Sequence, residues 1–395
     1  FSDLPEYAFP RLRALLDPHP PGAEPVAMSL GEPRHPLPPF LEAELARHAH
    51  LYGRYPPNEG RPELREAISA WLARRYGVPE DRRDPDRHVL PLNGTREGLF
   101  AACLALVPER KNGARPVVLI PNPFYQCYAA AALAVGAEPV YVPATAESGF
   151  LPDLESLPRD LLDRAAAAYW CSPANPQGVV TTDAHWRRLI ALAERHDFRL
   201  FADECYSEIW RDAPPPGALA AAAAMDADPE RVLAFHSLSK RSNLPGLRSG
   251  FAAGGPETIR ALLKLRAYAG APLPAPAQLA AAACWRDEDH VDASRALYQE
   301  KYRRADEILG GWNAYAPPAA GFFLWLDVGD GEAAALAAWK AAGVRALPGA
   351  YLSRPSRPEF GGADPGAAHL RVALVEDPDT VADGLGRLRA ALDPA

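Results

Sequence analysis

The sequence predicts an α/β protein: a mostly parallel sheet covered by helices on both faces, with a second, smaller α/β domain. Three observations predict it. From about residue 88, short apolar runs alternate with stretches of helical character, the rhythm of a parallel sheet with crossover helices. Polar residues of a consistent kind follow these runs, as at the ligand-binding edge of such a sheet. A length of 395 residues is long for one core and suggests two domains.

The runs are His88-Val-Leu-Pro-Leu92, Pro116-Val-Val-Leu-Ile120, Pro139-Val-Tyr-Val142, Ala168-Tyr-Trp-Cys171, Leu200-Phe-Ala202 and Val232-Leu-Ala-Phe235. Each reads as a buried strand. Asn93-Gly94-Thr95-Arg96 follows the first, Asn122-Pro-Phe-Tyr125 the second and Ser172-Pro-Ala-Asn175 the fourth. Asp203-Glu204-Cys205-Tyr206 follows the fifth and His236-Ser237-Leu238-Ser239-Lys240 the sixth. Residues 183–196 read as one of the intervening helices. The alanine runs 165–168 and 221–224 suggest further helices.

After about residue 286 the pattern changes. A charged helix over 288–309 precedes apolar runs at 322–326, 344–347 and 369–373, and a helix near 380–392 ends the chain. The first 45 residues contain no sheet-forming run of their own and are expected to pack on this second layer. The expected division is a large domain at 46–286 and a small one made of 1–45 and 287–395.

A net charge of −8 lacks the basic footprint that nucleic acid or an anionic membrane requires. No apolar run approaches a membrane span, and the first five residues show no secretory pattern. Five cysteines without a CxxC pair fit a reducing, cytoplasmic setting. The ten histidines show no metal-ligand spacing, so no metal is expected.

The chemistry concentrates at residues 237–250. Ser237, Ser239, Lys240 and Arg248 bring two hydroxyls, an ammonium and a guanidinium together in a turn-forming stretch. Hydroxyls and a guanidinium suit a phosphate dianion. A lysine without Walker-type glycine spacing suits a Schiff base to an aldehyde. Pyridoxal 5′-phosphate (PLP) carries both groups. It also needs an acid at its ring nitrogen, for which Asp203 is placed, and donors to its phenolic oxygen, which Asn175 and Tyr206 can supply. Tyr125 can stack on the ring. Gly94, Thr95 and Arg96 open a helix whose N-terminus can bind phosphate. Glu204 neighbours Asp203, but adjacent residues of an extended chain face opposite ways, so it is expected to be structural.

The pattern Ser237-x-Ser239-Lys240-x5-Gly246-x-Arg248-x-Gly250 resembles the signature of class I/II aminotransferases of PLP fold type I. Gly31-Glu-Pro, Tyr55-Pro-Pro-Asn-Glu-Gly60, Asn175-Pro-x-Gly178, Asp203-Glu-x-Tyr206 and Arg371 extend the resemblance along nearly the whole chain. It implies a seven-stranded, mostly parallel sheet in the large domain. It makes Lys240 the Schiff-base lysine and proton carrier, Asp203 the partner of the ring nitrogen, and Asn175 and Tyr206 contacts of the phenolic oxygen. Tyr125 would stack on the ring, and Gly94, Thr95, Arg96, Ser237, Ser239 and Arg248 would hold phosphate. Arg371 would bind the substrate α-carboxylate near Gly31 and Asn175. Tyr55 would reach the phosphate of a neighbouring subunit, implying a homodimer with shared sites.

Within the family, Ser29-Leu-Gly-Glu-Pro-Arg-His35, Lys240-Arg-Ser-Asn243 and Leu347-Pro-Gly-Ala-Tyr-Leu-Ser-Arg354 are similar to succinyldiaminopimelate aminotransferases. That implies amino-group exchange between N-succinyl-LL-2,6-diaminopimelate and 2-oxoglutarate, small-molecule amino and 2-oxo acids being the partners. Aminotransfer on aspartate, alanine or N-acetylornithine, a PLP-dependent carbon–sulfur β-lyase, and a non-catalytic protein on the same fold are the alternatives. Arg34 and Arg241 are candidates for the distal carboxylates of an acidic substrate.

Overall fold

The computed structural model describes residue 4 and residues 6–393; the first five residues, read above for a leader, therefore lie outside it apart from Leu4. Seven strands form the main sheet: β1 (Val89–Leu92), β2 (Val117–Asn122), β3 (Glu138–Pro143), β4 (Ala165–Cys171), β5 (Arg199–Asp203), β6 (Val232–Ser237) and β7 (Gly250–Gly254). Their order is β1-β7-β6-β5-β4-β2-β3, and all are parallel except β7, which runs against both its neighbours.

Alternate side chains of each strand feed opposite faces. On one face, Ala168 and Trp170 pack with Trp186, Leu189 and Ile190 of the helix Asp183–Arg195. On the other, Ala167 and Tyr169 pack with Leu99 and Ala102 of the helix Thr95–Leu106 and with Tyr128 and Ala132 of Gln126–Ala134. The alanine run 165–168 is thus a strand, not the helix that its composition suggests. Its four side chains are at most 5% exposed between two helical layers, and that burial overrides a helical preference of a few tenths of a kcal/mol per residue. The run 221–224 does lie in a helix, Ala218–Ala224.

Strand β7, Gly-Phe-Ala-Ala-Gly, carries no apolar run that would mark it in sequence. Tertiary crowding explains its composition: a Cβ on Gly250 would lie 2.7 Å from the His236 carbonyl oxygen, and one on Gly254 2.7 Å from that of Val232.

The second layer is a three-stranded antiparallel sheet, β8 (Phe323–Asp327), β9 (Leu347–Pro348) and β10 (His369–Ala373), ordered β9-β10-β8. It packs against the long helix Asp289–Leu309 and the terminal helix Pro378–Leu392. The run 344–347 splits: Val344–Arg345 leaves this sheet and pairs in parallel with Val26–Ala27. The first 45 residues therefore do contribute a strand, a two-residue one formed only through its distant partner. The helix Ala8–Leu16 packs on Trp339, Leu347 and Tyr351, whereas Leu41 is buried with Ile68, Trp71 and Trp285. We accordingly propose the two-domain division given above, with the chain already crossing onto the large domain by Leu41. Among the described residues, no helix is long and apolar enough to cross a membrane.

Candidate active site

The carboxyl ends of the parallel strands converge on a cavity of about 330 Å³ closed on its far side by β8 and β10. The turn after β1 supplies Gly94, whose φ of 78° disfavours any side chain; an added Cβ would also have to displace the Arg248 guanidinium. The helix Thr95–Leu106 then points its N-terminal N–H groups and positive dipole end into the cavity. Ser237, at the end of β6, caps the short helix Leu238–Arg241, its Oγ accepting from Ser239 N at 3.1 Å. Thr95, Ser237, Ser239 and Arg248 all line the cavity, a set of three hydroxyls and a guanidinium that matches a phosphate.

Opposite, β5 delivers Asp203, 6% exposed. Its Oδ2 accepts a 2.6 Å bond from the Tyr128 hydroxyl and its Oδ1 a 3.3 Å bond from Cys205 N. Burial raises its pKa, which these donors and the Lys240 charge oppose. Tyr128 is a residue that the sequence does not single out. Its only signal was its place three residues after Tyr125, one helical turn along a helix that starts at the sheet edge. Tyr125 lines the cavity, and its hydroxyl accepts from Arg96 Nε at 2.5 Å.

Lys240 Nζ donates to the Gly31 carbonyl and has no carboxylate partner among the described residues. Burial, with the Arg371 charge, pushes its pKa down to about 8, which brings the free amine within reach of mildly alkaline pH. Arg371, from β10, is 5% exposed. Its Nη1 donates to Asn175 Oδ1 at 3.2 Å and its Nη2 to the Ser29 carbonyl at 2.7 Å, while Nε is buried and unpaired. Asn175 Nδ2 in turn donates to the Tyr206 hydroxyl at 3.4 Å. A buried guanidinium with neutral partners and an orphaned N–H is a site for an anion; burial lowers even its pKa, to about 10.

Gly31, Thr95, Arg96, Tyr125, Asn175, Asp203, Tyr206, Ser237, Ser239, Lys240, Arg248 and Arg371 thus gather around one cavity, with Gly94 shaping its rim. Three expected residues do not join them. Arg34 pairs with Glu376 at 2.8 Å, outside the cavity. Arg241 is buried behind it, donating to the Cys284 and Asp287 carbonyls. Both run away from the cavity because other acceptors capture them: the Glu376 carboxylate for Arg34, and for Arg241 the carbonyls of Cys284 and Asp287 at the end of the helix Ala275–Arg286, with the Glu288 carboxylate at 2.9 Å. Tyr55 is fully exposed and lines no part of this chain's cavity. Glu204 faces away from Asp203, accepting from Ala218 N at 2.9 Å. Among the described residues, no group of three or more His, Cys, Asp or Glu is placed to hold a metal.

Residues 24–387 match the family model described as aminotransferase class I and II. The chain belongs to the class I and II aminotransferases. The LL-diaminopimelate aminotransferase of Dehalococcoides mccartyi is 31% identical over 397 residues, covering 98% of this chain and 96% of that one. A Streptomyces rimosus 4-dedimethylamino-4-oxo-anhydrotetracycline transaminase is 33% identical, with 94% of each covered. In solved structures, an aminotransferase from Neisseria meningitidis superposes with a TM-score of 0.92 at 37% identity, covering 99% of this chain and 98% of that one. This aminotransferase is PLP-dependent. Its cavity fits the cofactor: a phosphate cradle at one end, a buried acid opposite, and a lysine with a depressed pKa between the two and the free cation of Arg371.

Proposed function

We propose that this aminotransferase exchanges an amino group between N-succinyl-LL-2,6-diaminopimelate and 2-oxoglutarate, in the cytoplasm, on the diaminopimelate route to lysine. The observation that carries it is the combination of a free buried Arg371 with motifs similar to succinyldiaminopimelate aminotransferases. Curated relatives named for LL-diaminopimelate, spanning nearly the whole chain, support the same substrate skeleton.

When bound, PLP supplies an aldehyde that links covalently to the amino group and a ring that withdraws the electron pair left at the substrate Cα. Asp203 would keep a proton on the ring nitrogen, and Tyr128 would hold Asp203 in orientation. Asn175 and Tyr206 would donate toward the phenolic oxygen, Tyr125 would cover the ring, and Thr95, Ser237, Ser239, Arg248 and the backbone of Gly94–Arg96 would hold phosphate. Arg371 binds the α-carboxylate through its paired N–H groups. Lys240 Nζ would take the proton from the substrate Cα and carry it through the 1,3-proton shift, a role suited to an amine whose pKa lies near ambient pH. With Arg34 and Arg241 turned away, Arg96 is the cavity cation left for a distal carboxylate: it has no acidic partner among the described residues. We assign exposed Tyr55 to the phosphate site of a second copy in a homodimer.

A second reading, free LL-diaminopimelate as donor, is favoured by the names of those relatives and by Glu32, an acid lining the cavity that suits a distal ammonium. Glutamate formation from 2-oxoglutarate with each donor separates them. A higher kcat/KM for the succinylated donor is expected. A preference for the free diamine replaces the first reading by the second, and no turnover of either removes both.

A further inference from the structure

Lys301 is buried without an acid. It sits on the helix Asp289–Leu309, is 0% exposed, and makes no ion pair among the described residues. Its Nζ donates to His35 Nε2 at 2.6 Å and to the Leu374 carbonyl at 3.0 Å. An ammonium donor at Nε2 leaves the proton on Nδ1, so His35 donates to Ser294 Oγ at 3.0 Å. Ser294 is bonded at 3.1 Å to Asn243 Nδ2, which also donates to the Pro36 carbonyl at 3.3 Å. Lys301 and Ser294 lie seven residues apart, two turns, and so share one helix face. Every member is buried. Burying an unpaired lysine is costly, and core packing alone would be served better by an apolar residue.

The place of this chain of bonds explains it. The segment 28–36 lines the cavity with Leu30, Gly31 and Glu32, and carries the Ser29 carbonyl that accepts from Arg371 and the Gly31 carbonyl that accepts from Lys240. Its near end is tied at Met28, whose N–H donates to the Arg345 carbonyl and whose carbonyl accepts from Ala373 N. Its far end is tied by His35 and Pro36, to Lys301 and Asn243. Asn243 lies three residues beyond Lys240, and Leu374 three beyond Arg371. One network thus joins the strap to the two segments that bear the site's principal cations. His35 and Asn243 also belong to the motifs that carried the resemblance to a particular substrate subgroup. In the fold they touch each other's network and not the cavity.

We propose that Lys301 is a positioning residue for transamination: through His35, Ser294 and Asn243 it holds the strap 28–36 where Gly31 meets Lys240 and Ser29 meets Arg371. The proposal rests on the active-site reading of Lys240 and Arg371. The groups facing Lys301 are His35, the Tyr298 ring at 4.8 Å, Asp377, which caps the terminal helix, and Glu376, which is paired with Arg34. Burial pushes Lys301 down to about 7 and holds His35 near 3, so the pair carries at most one proton's charge at neutral pH.

The test compares Lys301→Met, His35→Leu and His35→Gln. Three quantities are read: amide exchange of residues 28–36 in the cofactor-free protein, KM and kcat for glutamate, and the pH titration of the bound cofactor's visible absorption. Loss of one or two buried hydrogen bonds predicts, for Lys301→Met and His35→Leu, roughly tenfold faster exchange in the strap and a KM raised about tenfold. Kcat should change less than KM, and the absorption titration should move. His35→Gln, which keeps a donor and an acceptor, should recover most of each. A lowered Tm with unchanged strap exchange, KM and titration would make Lys301 a structural lysine and overturn the proposal. Should Lys301→Met not fold, equal behaviour of His35→Gln and His35→Leu overturns it. The underlying reading fails separately, if Lys240→Ala retains turnover.

Discussion

The cofactor wall and the substrate edge of this cavity are built on opposite plans. The wall, along the ends of β1, β5 and β6, is satisfied from within: Asp203 accepts from Tyr128 and Cys205 N, and Ser237 caps its own turn. The edge, where β10 meets the strap, is left open. Arg371 reaches Ser29 from 342 residues away and retains an unpaired buried N–H. A wall that is complete by itself keeps its shape between turnovers. An edge with an unanswered cation suits carboxylates, and under the proposed function each half-reaction would bring a new one. Pre-organisation and an unanswered cation are therefore divided between the main sheet and the second layer, and the strap joins them.

The comparison is tested most severely at Lys240, which stands between the two. Lys240→Ala should lower turnover by about a thousandfold or more, since it removes both the covalent anchor and the base, and should abolish the bound cofactor's visible absorption. The same variant reports the cost of burial. In the cofactor-free protein the folded pKa, about 8, lies below the ordinary lysine value of 10.5, so the unfolded chain binds more protons between them. Stability should rise with pH across that window, the penalty being fully present below about 8. Lys240→Ala should flatten that rise in Tm; an unaltered slope would mean the amine is not desolvated.

At the open edge, Arg371→Ala should raise KM for amino and 2-oxo acids about tenfold to a hundredfold, the size of a charge-assisted bond pair. Cofactor absorption should persist, and its loss would show that edge and wall are not separable. The smallest expected effect belongs to the wall itself. Tyr128→Phe removes one donor to Asp203 and should lower kcat by roughly tenfold or less, with KM little changed. A larger change in KM than in kcat would place Tyr128 at the edge.

Six of the seven main strands were legible because strands covered on both faces read as unbroken apolar runs. Most residues proposed for the cofactor stood out for the related reason that they follow such a run within a few residues. Position along the chain then translates into position at the sheet edge. Tyr128 escaped because a buried tyrosine that only packs and one that also donates to a carboxylate have the same sequence signal. Arg34 and Arg241 were misplaced because an arginine's long side chain takes the nearest good acceptor, and motif membership says nothing of where that acceptor lies.

The sequence by itself determined the sheet's apolar strands, the signature around Lys240 and hence the cofactor and the family. These depend on local order, a strand followed at once by its functional residue. Only the tertiary structure decided that residues 165–168 are a strand, that glycine-rich β7 closes the sheet, that Val26–Ala27 pairs at all, and that His35, Ser294, Asn243 and Lys301 form one network. Each of these rests on contacts between segments far apart in the chain, where burial and a distant hydrogen-bond partner outweigh the few tenths of a kcal/mol that local preference supplies.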